Sequence, residues 1–327
     1  MNYIPKRDDG RATNRQSRDF NEIWNVQTDM AVSQEKFDSI FHNWEDPLNC
    51  NGRKRGSGCT VCDHIDKYGY VIKTDGTQYA YNVAFVGDIH GDLHAVENFI
   101  NNNPDCKYII SVGDIGIYCT ETSAQADKKS WAKYKNIILN YVHKIKNNKL
   151  PKFKIKVYSI IGNHDDYDNL YSESFVKANI HYLKQGGILT LHGVRIGHLG
   201  GIYSRVRTQM DPSSLTGRHR RFYSVKELNN LLLANNIDIL ITHEAASGIL
   251  PQTLNPKMDE GKGILRELVD TVQPDYYIHG HHHVNYTTEI QNANKKTTVI
   301  GLGNFGKNKN SFVKFNLLTK KMVFNTN

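Results

Sequence analysis

Five apolar runs in this chain each stop on an aspartate, asparagine or histidine, and that recurrence constrains the fold more than any other feature. The first is Asn82 to Gly91, NVAFVGDIHG, which breaks off at Gly87-Asp88-Ile89-His90-Gly91. At the strand period of two, Asp88 and His90 face the same side and offer an oxygen and a nitrogen. The glycines on either flank allow a tight turn and leave room beside it. A single strand ending in Asp before a turn is ordinary turn chemistry. Here the pattern returns: Tyr108 to Val112 ends in Gly113-Asp114-Ile115-Gly116, and Ile155 to Ile161 in Gly162-Asn163-His164-Asp165. Ile237 to Thr242 ends in His243, and Asp275 to Ile278 in His279-Gly280-His281-His282-His283.

Helical periodicities lie between these runs. Leu93, Val96, Phe99 and Ile100 share one face after the first run, and Trp131, Tyr134, Ile138, Tyr141 and Ile145 form a stripe after the second. Ser224 and Glu227 make a capping box ahead of Leu228, Leu231 and Leu232, and Ile264, Leu265, Leu268 and Val272 mark a further helix. The expected class is α/β, and in such sheets ligands gather at the carboxyl ends of strands, so the five run ends should converge. Ile180 to Tyr203 reads as short antiparallel strands between Gly-Gly and His-Gly turns, followed by a long irregular loop from Tyr203 to Phe222.

Before the first run the chain changes character. Residues 1 to about 30 are polar and charged, the signature of a flexible arm. Ser33 is placed to cap a short helix carrying Phe37, Ile40, Phe41 and Trp44. Cys59 and Cys62 have C-x-x-C spacing, and with Cys50 and His64 they could hold a structural zinc; free thiols in a glycine-rich basic loop are the other reading. Asp75-Gly76 signals a hairpin leading into the first run. The expected division is an N-terminal extension over residues 1–80 and one domain over 81–327.

Composition narrows the class. The chain has 327 residues, 39% hydrophobic and 23% charged, and a formal net charge of +8, which suits a soluble protein and is compatible with a polyanionic partner. No apolar run approaches the roughly 18 residues of a spanning helix, so no membrane partner is expected. The opening residues hold no apolar h-region, and five cysteines without an export signal point to a reducing cytoplasm.

Asp88, His90, Asp114, Asn163, His243, His281 and His283 form a mixed set of carboxylate, amide and imidazole. Such a set suits Mn²⁺, Fe or Zn²⁺ and argues against Mg²⁺ or Ca²⁺, which prefer oxygen shells. Seven ligands exceed the needs of one ion and fit two, with one carboxylate shared. His164 follows Asn163 and should point the other way, toward a leaving oxygen, where a protonated imidazole would act as general acid. Asp165 is placed to orient a neighbour or to cap a turn.

The ordered series GDIHG, GD, GNHD, a lone His after a strand, and GHHH closely resembles the calcineurin-like metallophosphoesterases, from Asp88 to His283. The resemblance implies a β-sandwich of two mixed sheets flanked by helices. It also implies that Asp88, His90, Asp114 and His283 hold one metal, while Asn163, His243, His281 and the bridging Asp114 hold the other. A metal-bridging hydroxide would then attack the phosphorus. The second motif reads GDIGIY, without the arginine of the serine/threonine phosphatase branch. The stretch Asn179 to Tyr203, and His243-Glu244 followed by Gly248-Ile249, look more like the RNA lariat debranching enzymes, which cut 2′–5′ phosphodiesters; many of those carry Cys where this chain has Asp88.

The irregular loop carries Arg205, Arg207, Arg218, Arg220 and Arg221 among His219, Phe222 and Tyr223. Guanidinium groups suit phosphate and aromatic rings suit bases, although a solvated basic loop has the same composition. The reading is a dimetal phosphodiesterase acting on a nucleotide or nucleic acid. The alternatives are a phosphomonoesterase or protein phosphatase using the same ions, and a scaffold without catalysis. Residues 1–80 could add a partner-binding module to either enzyme.

Overall fold

The computed structural model describes residues 82–251, 262–308 and 310–323, together with the backbone of a two-strand pair at Asn49–Cys50 and Arg53–Lys54. The expected helix after Ser33, the side chains of Cys50, Cys59, Cys62 and His64, and the turn at Asp75-Gly76 lie outside the described residues. Among the described residues no helix is long and apolar enough to cross a membrane.

Two six-stranded mixed sheets pack face to face. Sheet A holds β1 (Asn82–Val86), β2 (Cys106–Ser111), β3 (Lys156–Ser159) and β4 (Ile180–Tyr182) as parallel neighbours in that order. Sheet B holds the hairpin β5 (Gly187–Leu191) and β6 (Val194–Leu199), then β7 (Ile239–Thr242) and β8 (Tyr276–His283) parallel to β6. β9 (Tyr286–Gln291) and β10 (Lys296–Gly303) close that sheet, with β10 parallel to β8. β11 (Phe312–Asn316) returns to sheet A antiparallel to β1, and β12 (Lys321–Val323) pairs with β11 at its edge.

Alternation along β1 shows why the layers form. Val83 and Phe85 point into the space between the sheets, where they meet Ile196, Ile239, Ile241, Ile278 and Ile300. Ala84 and Val86 point outward, against helices α1 (Leu93–Asn102) and α3 (Lys128–Lys146) and the short α4 (Glu173–Lys177); α2 (Glu121–Ala126) precedes α3. On the far side, α5 (Val225–Leu232) and α6 (Gly263–Val272) cover sheet B through Leu228, Leu231, Leu265 and Leu268. Both faces of both sheets are therefore apolar, which explains the near-continuous hydrophobic runs. The Ser224–Glu227 capping box forms as expected.

Two expectations are corrected. The run Ile180–Tyr182 is not part of an antiparallel region: it pairs parallel with β3 in sheet A, and only β5 and β6 form the hairpin. Short apolar strands carry no record of their partner, so composition could not separate them. The strand expected to stop at Ile278 runs on to His283, because β10 continues to pair beyond a register shift between His279 and His283.

Candidate metal centre

The parallel strands bring their C-terminal ends to one rim of the sandwich. Sheet A supplies Asp88 and His90 after β1, Asp114 after β2, and Asn163 and His164 after β3. Sheet B supplies His243 after β7, and His281 and His283 from the end of β8. The loops are laced together: Ile89 and His90 N–H both donate to Asp114 O, at 3.0 and 2.8 Å. Four of the side chains sit on left-handed backbone, with φ of +46° at His90, +53° at Asp114, +68° at His281 and +56° at His283. Such conformations are costly for non-glycine residues and concentrate at functional sites.

Asp88, His90, Asp114 and His283 each present one ligating atom within 4.8 Å of the others. His283 Nε2 lies 2.9 Å from Asp88 Oδ2 and 3.0 Å from His90 Nε2, and His90 Nε2 lies 3.8 Å from Asp114 Oδ2. Beyond Asp114, His243 Nε2 is 3.6 Å from Asp114 Oδ2 and 2.9 Å from Asn163 Oδ1, while the His281 ring packs edge-on against His243 at 5.0 Å. Asp114 thus lies between the Asp88, His90 and His283 side chains and His243, whose ring in turn meets Asn163 and His281. Backbone amides fix the carboxylates, with His281 N–H donating to Asp88 Oδ2 at 3.1 Å and His164 N–H to Asp114 Oδ1 at 2.7 Å. His243 Nδ1 faces Val112 O at 2.8 Å, which leaves Nε2 to face the cluster.

Two glycines make room for the acids. A Cβ on Gly162 would lie 2.0 Å from Asp114 Oδ1, and one on Gly280 would lie 2.3 Å from Asp88 Oδ1. No side chain fits at those separations, so the glycines of GNH and GHH are steric requirements of the carboxylates.

The electrostatics call for a cation. Asp88 and Asp114 are fully buried within one cluster. Burial works to raise Asp88, but the His283 hydrogen bond and the surrounding imidazoles prevail and hold it at about 2. Asp114 is raised, by burial first and by the Asp88 charge. Burial lowers His90, and it drives His281 down to about 2, which favours the neutral ring with a lone pair to offer. Buried carboxylates beside neutral imidazoles fit transition-metal ions.

His164 is held from behind by Asp127. Its Nδ1–H donates to Asp127 Oδ2 at 2.6 Å, and Ser130 Oγ lies 2.9 Å from the same nitrogen. Burial would lower this imidazole, but the Asp127 bond and the Asp114 charge raise it, and Asp127 is correspondingly lowered. Asp127 also caps α3 through Ser130 N–H, accepts from Tyr118 Oη at 2.9 Å and meets Arg218 Nη1 at 3.1 Å. Asp165 does not touch the His164 ring. Its carboxylate accepts from Gly162 N–H at 2.7 Å, Gly116 N–H at 3.1 Å and Tyr182 Oη at 2.9 Å, which braces the loops after β2 and β3.

The arginine loop contributes one side chain to this neighbourhood. Arg218 reaches Asp127, whereas Arg220 donates to the carbonyls of Leu215 and Tyr167, and Arg221 stacks on Phe222 with its CZ 4.9 Å from the ring centroid. Arg207 packs against Met210 and Arg205 is exposed. Four further histidines have other surroundings. His94 is exposed on α1, His192 and His198 are buried in sheet B, and His279 Nε2 meets Tyr286 Oη at 2.5 Å.

A model of the calcineurin-like phosphoesterase family matches residues 81–285. The chain belongs to this family. It is a metal-dependent phosphoesterase, as the resemblance in the motifs implied. A lariat debranching enzyme of Entamoeba histolytica is 25% identical over 257 residues, covering 70% of each chain. One of Drosophila pseudoobscura pseudoobscura is 27% identical over 262 residues, covering 68% of this chain and 46% of that one. The chain therefore spans less than half the length of the fly relative. One solved crystal structure aligns with a TM-score of 0.51 at 15% identity, covering 75% of this chain and 98% of that one, which supports the fold alone.

Proposed function

We propose that this phosphoesterase hydrolyses a phosphodiester in a nucleotide or nucleic acid, with two divalent ions bound at the strand ends. Asp88, His90, Asp114 and His283 would hold one ion, and Asp114, Asn163, His243 and His281 the other. Mn²⁺, Fe and Zn²⁺ fit the donor types. When bound, such a pair stabilises charge on the phosphoryl oxygens and acidifies water.

The observation that carries the reading is the Asp127–His164 pair beside the cluster. With Nδ1–H committed to Asp127, Nε2 is the nitrogen available to substrate, and it has no hydrogen-bond partner among the described residues. A water oxygen joins phosphorus, the ester P–O bond breaks, and the proton on His164 Nε2 passes to the departing alkoxide; the proton given up by the attacking water goes to solvent, from which His164 is protonated again. That transfer matters because an alkoxide leaves poorly without protonation. Asp127 keeps the ring in one tautomer and orientation, and Arg218 neutralises the carboxylate face that His164 does not use. Asp165 acts as a brace for the Asn163 loop and not as a second acid. The similarity to lariat debranching enzymes favours a diester, and RNA among diesters.

The test uses metal-stripped protein reloaded with Mn²⁺. The expected result is a preference for bis-p-nitrophenyl phosphate over p-nitrophenyl phosphate, and cleavage of a dinucleoside monophosphate that His164→Ala reduces by about 10²-fold or more. Preference for the monoester would replace this reading with a phosphomonoesterase.

A further inference from the structure

The arginine loop is mostly folded on itself, which leaves open how a polyanion is held beside the cluster. The opposite wall carries a different arrangement. Helix α3 breaks its helical backbone at Tyr134, where φ is −125° and ψ is 18°. The Tyr134 ring lies 6.0 Å from the His90 ring with only 21° between the planes. Lys133 on the same helix and Lys307 from the loop after β10 both place Nζ 5.0 Å from the Tyr134 centroid. Lys307 Nζ also lies 3.4 Å from Tyr134 Oη.

Both lysines are exposed, and neither forms an ion pair with a carboxylate among the described residues. Two ammonium groups drawn to one ring repel each other, a cost that an anion between them would remove. A partly exposed aromatic ring flanked by exposed cations is the arrangement by which single strands are held, with a base on the ring and phosphates on the charges. His90 links this wall directly to His283, 3.0 Å away, so a strand lying here leads into the candidate centre.

We propose that Tyr134, Lys133 and Lys307 form a docking platform for the nucleotide next to the scissile phosphate of a single-stranded nucleic acid. Its base stacks on Tyr134, and its outer phosphate lies between the two lysines, whose flexible stems swing from the ring onto it. The inference rests on the phosphodiesterase reading and adds the direction from which the strand enters.

The experiment titrates the full-length protein into a labelled eight-nucleotide single strand, by fluorescence anisotropy over a salt series. Lys133→Ala/Lys307→Ala is expected to weaken binding at least tenfold and to make the slope of log affinity against log salt shallower by about 0.7, the contribution of the one single-strand phosphate that the two lysines share. Tyr134→Ala should weaken binding about tenfold, while Tyr134→Phe, which keeps the ring and removes a hydroxyl, should bind like the parent. An unchanged affinity and salt slope in the double lysine variant would overturn the platform. So would displacement of the strand by polyaspartate as readily as by unlabelled strand, because a surface that reads charge alone needs no ring. The two readings fail separately. If the Mn²⁺-loaded parent cleaves a small diester but the variants bind the strand normally, the platform falls and the phosphodiesterase stands. If the parent cleaves no diester yet binding depends on these three residues, the platform stands without it.

Discussion

At the scale of single residues, the least expected participant is Asp127. It caps α3 through one carboxylate oxygen and holds His164 with the other. Nothing in the local pattern announces that second task, because the two residues meet only through the fold. The motif histidines and aspartates were legible for the opposite reason, since each sits in a glycine-bounded strand end that recurs. Asp127→Asn keeps the shape and loses the charge that raises His164. It is expected to lower kcat by about 10²-fold on a dinucleoside monophosphate with little change in KM. On a p-nitrophenyl diester the loss should be far smaller, because that leaving group departs without a proton. Equal losses on both substrates would assign Asp127 to structure alone.

At the scale of elements, the strand ends and their turns decide the geometry. The runs identified β1, β2, β3, β7 and β8 because strands buried on both faces are continuously apolar. They could not assign Ile180–Tyr182 to its sheet, nor reveal the break at Tyr134, since both depend on packing partners. The contacts of the arginine loop are of the same kind: Arg220 finds carbonyls, Arg221 a ring and Arg207 a sulfur, partners that composition cannot foresee. The glycine that opens GHH is a sharper constraint. Gly280→Ala would bring Cβ to 2.3 Å from Asp88 Oδ1 and 2.6 Å from Val112 Cγ2, so the carboxylate must move. By analogy with disturbed outer-shell groups, Mn²⁺ affinity is expected to fall by about 10–100-fold, as read by calorimetric titration of the metal-stripped protein. An unchanged affinity would mean that Asp88 can retreat without cost.

At the scale of the whole molecule, acid should loosen the sandwich well before its carboxylates protonate. His198 lies in β6, buried, with its Nδ1 lacking a hydrogen-bond partner among the described residues. Burial lowers its pKa to about 4 from an ordinary 6.5, and His192 is lowered to the same value by burial and by Lys107. For a base depressed in the folded state, the unfolded chain takes up the proton first. The contribution of such an imidazole is therefore complete above about pH 6.5, falls as pH drops toward 4, and levels off below, by up to about 3 kcal/mol for His198. Chemical denaturation at a series of pH values should show that decline, and His198→Leu should flatten part of it. The strand order carries one more consequence, and it concerns timing. β1 bears Asp88 and His90, yet the strand that closes its second edge is β11, which follows it by most of the chain. A nascent chain still on the ribosome can therefore lay down every motif while β1 keeps one edge open. Both edges of β1 can be paired only after residues 312–316 have emerged.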